Sequence, residues 1–127
     1  MVLNTLKTSH LSLAFAATLA LSSTAAFSNE ANRIAFQEKV TVKVGEQVVI
    51  HGMRGDCGKL PSKRDRKAFF DANADIGIGQ LIEGERGVRG SRSCGGTTPA
   101  IEVVFVATQK GRTRIEIFGD EIRLRVK

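Results

Sequence analysis

The sequence predicts an all-β domain of two packed antiparallel sheets with about six to seven strands. Apolar residues recur at every second position, or run together, between residues 100 and 126, with turn residues between the runs. A second clean alternation covers residues 39–44, and no convincing amphipathic helix follows residue 28. These three observations favour a two-sheet sandwich. A small barrel has the same strand count and is the alternative.

The N-terminal residues have the pattern of a secretory signal. Residues 11–21 form an apolar run that follows Lys7 and precedes small residues. Ala26 and Ser28 occupy the small positions of a cleavage site, so we expect a signal peptide at residues 1–28 and one domain at residues 29–127. The apolar run is too short to span a bilayer. The sequence therefore predicts a periplasmic or secreted protein with no transmembrane segment after signal removal.

Two cysteines, Cys57 and Cys94, lie in the domain. Because an exported chain meets oxidants, we expect them to form a disulfide, and two free thiols are the alternative. By the chain-entropy estimate, closing this interval stabilises the fold by about 4 kcal/mol.

The charge of the domain is basic but not extreme. The signal contains one of the nineteen Lys and Arg residues and none of the thirteen acids, so the domain has a net charge of 18 − 13 = +5. Cations in the strands alternate with apolar residues, which predicts that they lie on a solvated face of the sheet. Those within residues 59–67 and 86–92 cluster instead, and such clusters predict a partner.

The first half of the domain combines strands with a long loop. Residues 29–37 are a short lead-in strand or a flexible arm. Residues 39–44 alternate, Gly45 and Glu46 make a turn, and residues 47–51 resume a strand, which predicts a hairpin or a strand that changes sheets. Residues 52–67 combine glycines with six cations and predict an exposed loop.

The second half predicts a central strand interrupted by Gly77 and Gly79, then a long glycine-rich loop at residues 84–98. A meander follows. In its last strand Ile122, Leu124 and Val126 share one face and the intervening cations share the other. This alternation predicts a half-buried strand at the edge of an antiparallel sheet.

The run VTVKVGEQVVI at residues 40–50 and the run VVFVATQKGRTRIEI at residues 103–117 resemble the strand frame of bacterial immunoglobulin-like domains. Within that group they are similar to chagasin-type cysteine-protease inhibitors. The resemblance implies an immunoglobulin-like sandwich whose loops at one pole enter a protease cleft.

The inhibitory loop motifs do not accompany this frame. Residues 52–57 are Gly-Met-Arg-Gly-Asp-Cys where the inhibitors have an Asn-Pro-Thr-Thr-Gly stretch. Residues 118–121 form a tight turn in place of an Arg-Pro-Trp type triplet, and residues 84–90 are only a loose counterpart of the middle loop. The resemblance therefore implies the immunoglobulin-like strand frame more than it implies protease inhibition.

The sequence predicts no enzyme, no cofactor and no metal site. His51 is the single histidine after the signal, no Gly-x-Ser-x-Gly elbow occurs, and we expect His51 to have a satisfied hydrogen bond near a strand end. Two Cys and one His cannot complete a zinc site. In residues 71–75, side chains with oxygen atoms occupy alternate positions, as in calcium-binding loops. The glycine and the second acid of such a loop, Gly77 and Glu83, each lie one position too far along the chain, so an Asx-type turn is expected instead.

We therefore expect a non-catalytic binding module that presents two loops, tied by the disulfide, to an anionic partner such as a carboxylate, a phosphate, a sulfated sugar or an acidic protein surface. The expected partner-binding residues are Arg54, Lys59, Lys63, Arg64, Arg86, Arg89 and Arg92. Nucleic acid is not expected, because the chain is exported and has no Tyr or Trp as stacking platforms. The alternative is a structural or assembly domain of the cell envelope that pairs through the sheet edge at residues 121–127.

Overall fold

The computed structural model describes residues 32–127, so the predicted signal peptide at residues 1–28 lies outside the described part of the chain. Its elements are β1 (Lys39–Val42), β2 (Gln47–Arg54), α1 (Lys63–Ala72), β3 (Gly79–Ser91), β4 (Gly96–Ala107), β5 (Gly111–Ile117) and β6 (Asp120–Val126). The predicted class, an all-β fold of two sheets with one disulfide, is confirmed. Within residues 32–127, no helix has the length and apolar character needed to cross a membrane.

The six strands form two three-stranded sheets, in the orders β1-β6-β5 and β2-β4-β3. Pairing is antiparallel except between β1 and β6, which are parallel. The chain changes sheets between β1 and β2, at a turn where Gly45 has φ +88°. Of the two arrangements that the sequence allowed here, the strand that changes sheets is the observed one.

β6 is the central strand of its sheet, so its predicted edge position was wrong. The predicted alternation along β6 is correct, because Ile122, Leu124 and Val126 are buried and the arginines between them are exposed. An alternating pattern tells which face of a strand is buried and says nothing about how many strands flank it. β1, far away in sequence, supplies the second neighbour.

Helix α1 occupies part of the stretch predicted to be an exposed loop. Ser62 caps its N-terminus by accepting a hydrogen bond from the Asp65 N–H (3.1 Å). None of its residues is fully buried, and only Phe69 and Phe70 pack against the core. The helix therefore lacks the apolar stripe by which amphipathic helices are recognised. The N-cap serine followed three residues later by an acid was the available signal.

Most of the predicted loop at residues 84–98 is strand. β3 continues to Ser91 and β4 begins at Gly96, so only residues 92–95 form the turn between them. The glycines in this part of β3 allow close approach of neighbouring groups. A Cβ at Gly87 would overlap the carbonyl oxygen of Asn32, and one at Gly84 would lie 2.8 Å from Glu102 Cβ.

The core lies between the two sheets. Phe105 and Leu81 of one sheet and Ile122 and Leu124 of the other are at most 2% exposed, and all four belong to one apolar cluster. Gly79 lies against this cluster at the start of β3. A Cβ there would overlap the carbonyl oxygen of Val106 and lie 2.6 Å from Phe105 Cε2.

We predict that Gly79→Ala lowers the free energy of unfolding by about 1–3 kcal/mol, because the added methyl group overpacks a filled core. Urea denaturation followed by circular dichroism measures this value. Gly90→Ala is the matched control on the same strand, because no heavy atom lies within 4 Å of its added Cβ. Equal stability of the two variants would contradict the packing described for Gly79.

Candidate functional site

A cleft of about 740 Å³ lies where the segment after β2, the start of α1 and the β5–β6 turn meet. Its lining combines cations, two carboxylates and apolar groups. The lining residues are Arg54, Gly55, Asp56, Lys59, Leu60, Pro61, Ser62, Asp65, Arg89 and Phe118.

The disulfide holds one wall of this cleft. Cys57 and Cys94 are bonded as predicted, with their Cα atoms 5.4 Å apart, and they join the segment after β2 to the turn between β3 and β4. The Gly58 N–H donates to the hydroxyl of Thr98 (3.1 Å), a buried residue of β4. The wall is therefore attached to the β2-β4-β3 sheet by a covalent bond and a hydrogen bond.

Arg54 ends β2 beside the disulfide. Its Nη1 donates to Cys94 Sγ (3.3 Å) and its Nη2 donates to the Ser93 hydroxyl (3.0 Å). These contacts fix the guanidinium plane. Each terminal nitrogen retains a second N–H, so Arg54 can still bind an anion.

Arg89 reaches the cleft from β3, which is separated from β2 by β4 in the same sheet. Its Cδ would lie 3.4 Å from a Cβ at Gly52, and its Nη1 donates to the Gly52 carbonyl (2.8 Å). Because Gly52 and Ala100 have little or no side chain, the arginine can extend over them from β3 to β2. Burial lowers the pKa of Arg89, as does the nearby Arg54, whereas Asp120 raises it. A guanidinium nevertheless stays cationic throughout the physiological range.

His51 lies next to this arginine and is 1% exposed. The Gly52 N–H donates to its Nδ1 (2.8 Å), and Arg89 Nη1 lies 3.4 Å from the same nitrogen. The Gly52 carbonyl oxygen also lies 3.1 Å from Nδ1. Because an ionised carboxylate only accepts, the Nε2–H of the ring donates to Asp120 Oδ2 (2.7 Å). The satisfied hydrogen bond predicted for His51 is present, and both ring nitrogens are occupied by structural contacts.

The His51–Asp120 bond joins the two sheets and positions an exposed aromatic ring. Phe118, in the turn just before Asp120, packs edge-on against His51 with ring centroids 5.2 Å apart. It also stacks on Phe69 of α1 at 4.9 Å. Phe118 has φ +53°, a conformation uncommon for a non-glycine residue, and is 44% exposed. It is thus an aromatic side chain held in place at the cleft.

The structure brings together three of the seven cations expected to bind a partner. Arg54, Lys59 and Arg89 line the cleft. Arg86 and Arg89 are three residues apart in a continuously paired part of β3, so they project to opposite faces. The others are Lys63 and Arg64, in the first turn of α1, and Arg92, in the β3–β4 turn.

Sequence reasoning missed Phe118 and Asp120 as parts of the site. Residues 118–121 resembled only a tight turn, and nothing local indicates that this turn contacts a histidine 69 residues earlier in the chain. Within residues 32–127, no group of three or more His, Cys, Asp or Glu could hold a metal ion. Asp75 Oδ1 accepts from the Gly77 N–H (2.8 Å), which is the Asx-type turn expected there.

No protein-family model matches this chain, and no curated protein or solved structure is significantly similar to it.

We expect Asp120→Ala to lower the free energy of unfolding by about 1–3 kcal/mol, because it leaves the buried His51 Nε2–H without an acceptor. Chemical denaturation measures the loss. Glu121→Ala is the control, since its exposed carboxylate contacts only surface arginines. A loss no larger than that of the control would show that the histidine finds another acceptor.

Replacing both cysteines by serine should reduce the free energy of unfolding by about 4 kcal/mol, since the unfolded chain regains the freedom of the closed loop. Urea denaturation with and without a reductant measures this. The reductant should destabilise the wild-type protein and leave the serine variant unchanged. A wild-type protein that is insensitive to the reductant, although its thiols have become free, would refute a stabilising role for the disulfide.

Proposed function

We propose that this protein is an exported, non-catalytic binding module, periplasmic or secreted, that receives a carboxylate of a partner protein or peptide in the cleft. The observation that supports this is the convergence of Arg54 and Arg89 on one cleft. Neither guanidinium forms an ion pair within residues 32–127, and their charges are close enough for Arg54 to lower the pKa of Arg89. An anion placed between them relieves this repulsion.

The unused donors favour a group with two acceptor oxygens. Arg89 Nε and Nη2 form no hydrogen bond within the described residues, and Arg54 retains one N–H on each terminal nitrogen. Guanidinium groups bind carboxylates through two parallel hydrogen bonds, which fixes the orientation of the ligand as well as its charge.

The remaining lining favours a carboxylate with an apolar neighbour. Phe118, Leu60 and Pro61 line the same cleft as the arginines. Asp56 and Asp65 also line it, and these two acids limit the excess positive charge to that of one cation. A cleft of this kind suits one defined acidic group with an apolar side chain beside it, and suits a dense polyanion less well.

The chemistry of the lining supports a non-catalytic role. Both nitrogens of His51 are engaged, and both cysteines are bonded to each other. The Ser62 hydroxyl caps α1. The histidine, the cysteines and the Ser62 hydroxyl therefore have structural contacts, which supports a role in binding.

Oxidising surroundings are typical for a protein with a disulfide, which agrees with export. Inhibition of a papain-like protease is one specific version of this proposal, supported by the resemblance of the strand frame. Residues 84–90, the counterpart of the inhibitors' middle loop, belong to β3 here. Titration of a papain-like protease with the protein tests this version, and full protease activity at micromolar protein would remove it.

We predict that Arg54→Glu weakens binding of N-acetylphenylalanine, a carboxylate with an apolar neighbour, by roughly tenfold or more, because the reversed charge repels the ligand. Titration followed by amide chemical shifts of the folded protein measures the dissociation constant. Arg86→Glu is the matched control, because it makes the same charge change outside the cleft.

The same two variants can be compared by capture of partners from an envelope extract. A partner captured by wild-type protein and Arg86→Glu but not by Arg54→Glu supports the cleft. Equal capture by all three would contradict it. The alternative, pairing of an envelope domain through a sheet edge, would then need a strand other than residues 121–127, because β6 is central in its sheet.

A further inference from the structure

The outer face of the β1-β6-β5 sheet carries a dense set of cations. Along each strand, exposed residues on this face alternate with residues that face the core. The exposed cations are Lys39 of β1, Arg112 and Arg114 of β5, and Arg123 and Arg125 of β6. Together they surround a shallow depression of about 500 Å³. We refer to these five residues as the cationic face.

The strand register places like charges opposite one another. Arg112 pairs with Arg125 and Arg114 pairs with Arg123 across β5 and β6, while Lys39 lies beside Arg123 on the other side. Like charges at directly opposed positions of a sheet are destabilising. The fold thus maintains an arrangement that opposes its own stability.

Two acids, Glu116 and Glu121, share this face and oppose each other across β5 and β6. Glu121 Oε1 lies 3.6 Å from Arg123 Nε and 3.9 Å from Arg114 Nη1. Lys39, Arg112 and Arg125 form no ion pair within the part of the chain that the structure describes. A face that served only solubility would do so with both signs interspersed, which lowers the repulsion. Cations nevertheless outnumber acids on this face, and the excess of positive charge indicates a ligand.

We propose that the cationic face binds a linear anionic polysaccharide with carboxylate or sulfate groups along its chain. Neighbouring strands are about 4.8 Å apart and alternate residues of one strand about 6.7 Å apart, so the cations form a grid of similar spacing. A polymer with an anionic group on successive sugar rings can contact several of them at once. This site is independent of the carboxylate cleft, because Arg54 and Arg89 belong to the other sheet.

Other polyanions fit this face less well. It has no aromatic side chain on which nucleic-acid bases could stack. The large apolar residues that are exposed in the described part of the chain, Phe36, Val44 and Phe118, lie outside its alternating positions. A membrane-bound surface commonly adds such apolar anchors, and a planar bilayer follows a depression poorly.

The test measures the affinity of the folded protein for two probes, heparin as a sulfated polymer and polygalacturonate as a carboxylated one, over a range of salt concentrations. The double variant Arg112→Thr with Arg125→Thr should weaken binding by roughly tenfold or more at low salt, and should reduce the slope of log K against log salt by about two. Arg86→Thr with Arg92→Thr is the control of equal charge change, and it should bind as the wild-type protein does.

Thermal unfolding separates lost binding from lost structure. The Arg112/Arg125 double variant should melt at or above the wild-type temperature in low salt, since it removes a repulsive pair. Arg54→Glu should retain polysaccharide binding, so failure of the cleft and failure of this face can be told apart. Loss of polysaccharide binding in Arg54→Glu would overturn their independence.

Three further results would overturn the proposal. The first is equal weakening by both double variants, which would reflect net charge alone. The second is a lack of binding to either polymer at low salt. The third is binding to vesicles of phosphatidylglycerol and phosphatidylcholine without binding to either polymer, which would assign the face to a membrane surface.

Discussion

The cleft depends on the burial of one histidine. An imidazole that is 1% exposed is costly to bury unless both of its nitrogens are hydrogen-bonded. Here Gly52 satisfies one nitrogen and Asp120 satisfies the other. Because the first partner belongs to β2 and the second begins β6, satisfying the ring also joins the two sheets. The same contacts fix the turn that holds Phe118 and lie beside the terminal nitrogen of Arg89.

The opposite wall of the cleft is held by different forces. The disulfide and the Thr98 hydroxyl attach the segment after β2 to the β3–β4 hairpin. Arg54 donates hydrogen bonds to residues of that hairpin. Both guanidinium groups are thus oriented before any ligand arrives. Pre-orientation of this kind reduces the side-chain entropy that binding would otherwise cost. It is consistent with a site for one defined group.

The two cationic surfaces of the protein differ in chemistry. The cleft mixes cations, acids and apolar groups, and such a mixture discriminates among ligands by shape and by the position of their charge. The face of the β1-β6-β5 sheet has a repeated charge of mainly one sign and no apolar anchor, so its binding would be strong at low salt and weak at high salt. A module with both surfaces could stay on an anionic polymer while it holds a specific partner.

The sequence by itself determined the class of fold, the disulfide and the buried face of the last strand. These follow from local patterns, since alternation fixes which side of a strand is apolar and each of the two cysteines can bond only to the other. The glycines of β3 misled the same reasoning. A glycine required by a turn cannot be told from sequence apart from a glycine required by a close contact. Gly87 is of the second kind, because Asn32 and Ile34 lie directly against it.

Only the tertiary structure decided which strands are neighbours and which distant side chains meet. The central position of β6, the contact between His51 and Asp120, and the path of Arg89 over Gly52 all join residues far apart in sequence. The opposed arginines of β5 and β6 likewise require the strand register. Local periodicity has no information on register between strands, because that is set by how the whole core packs.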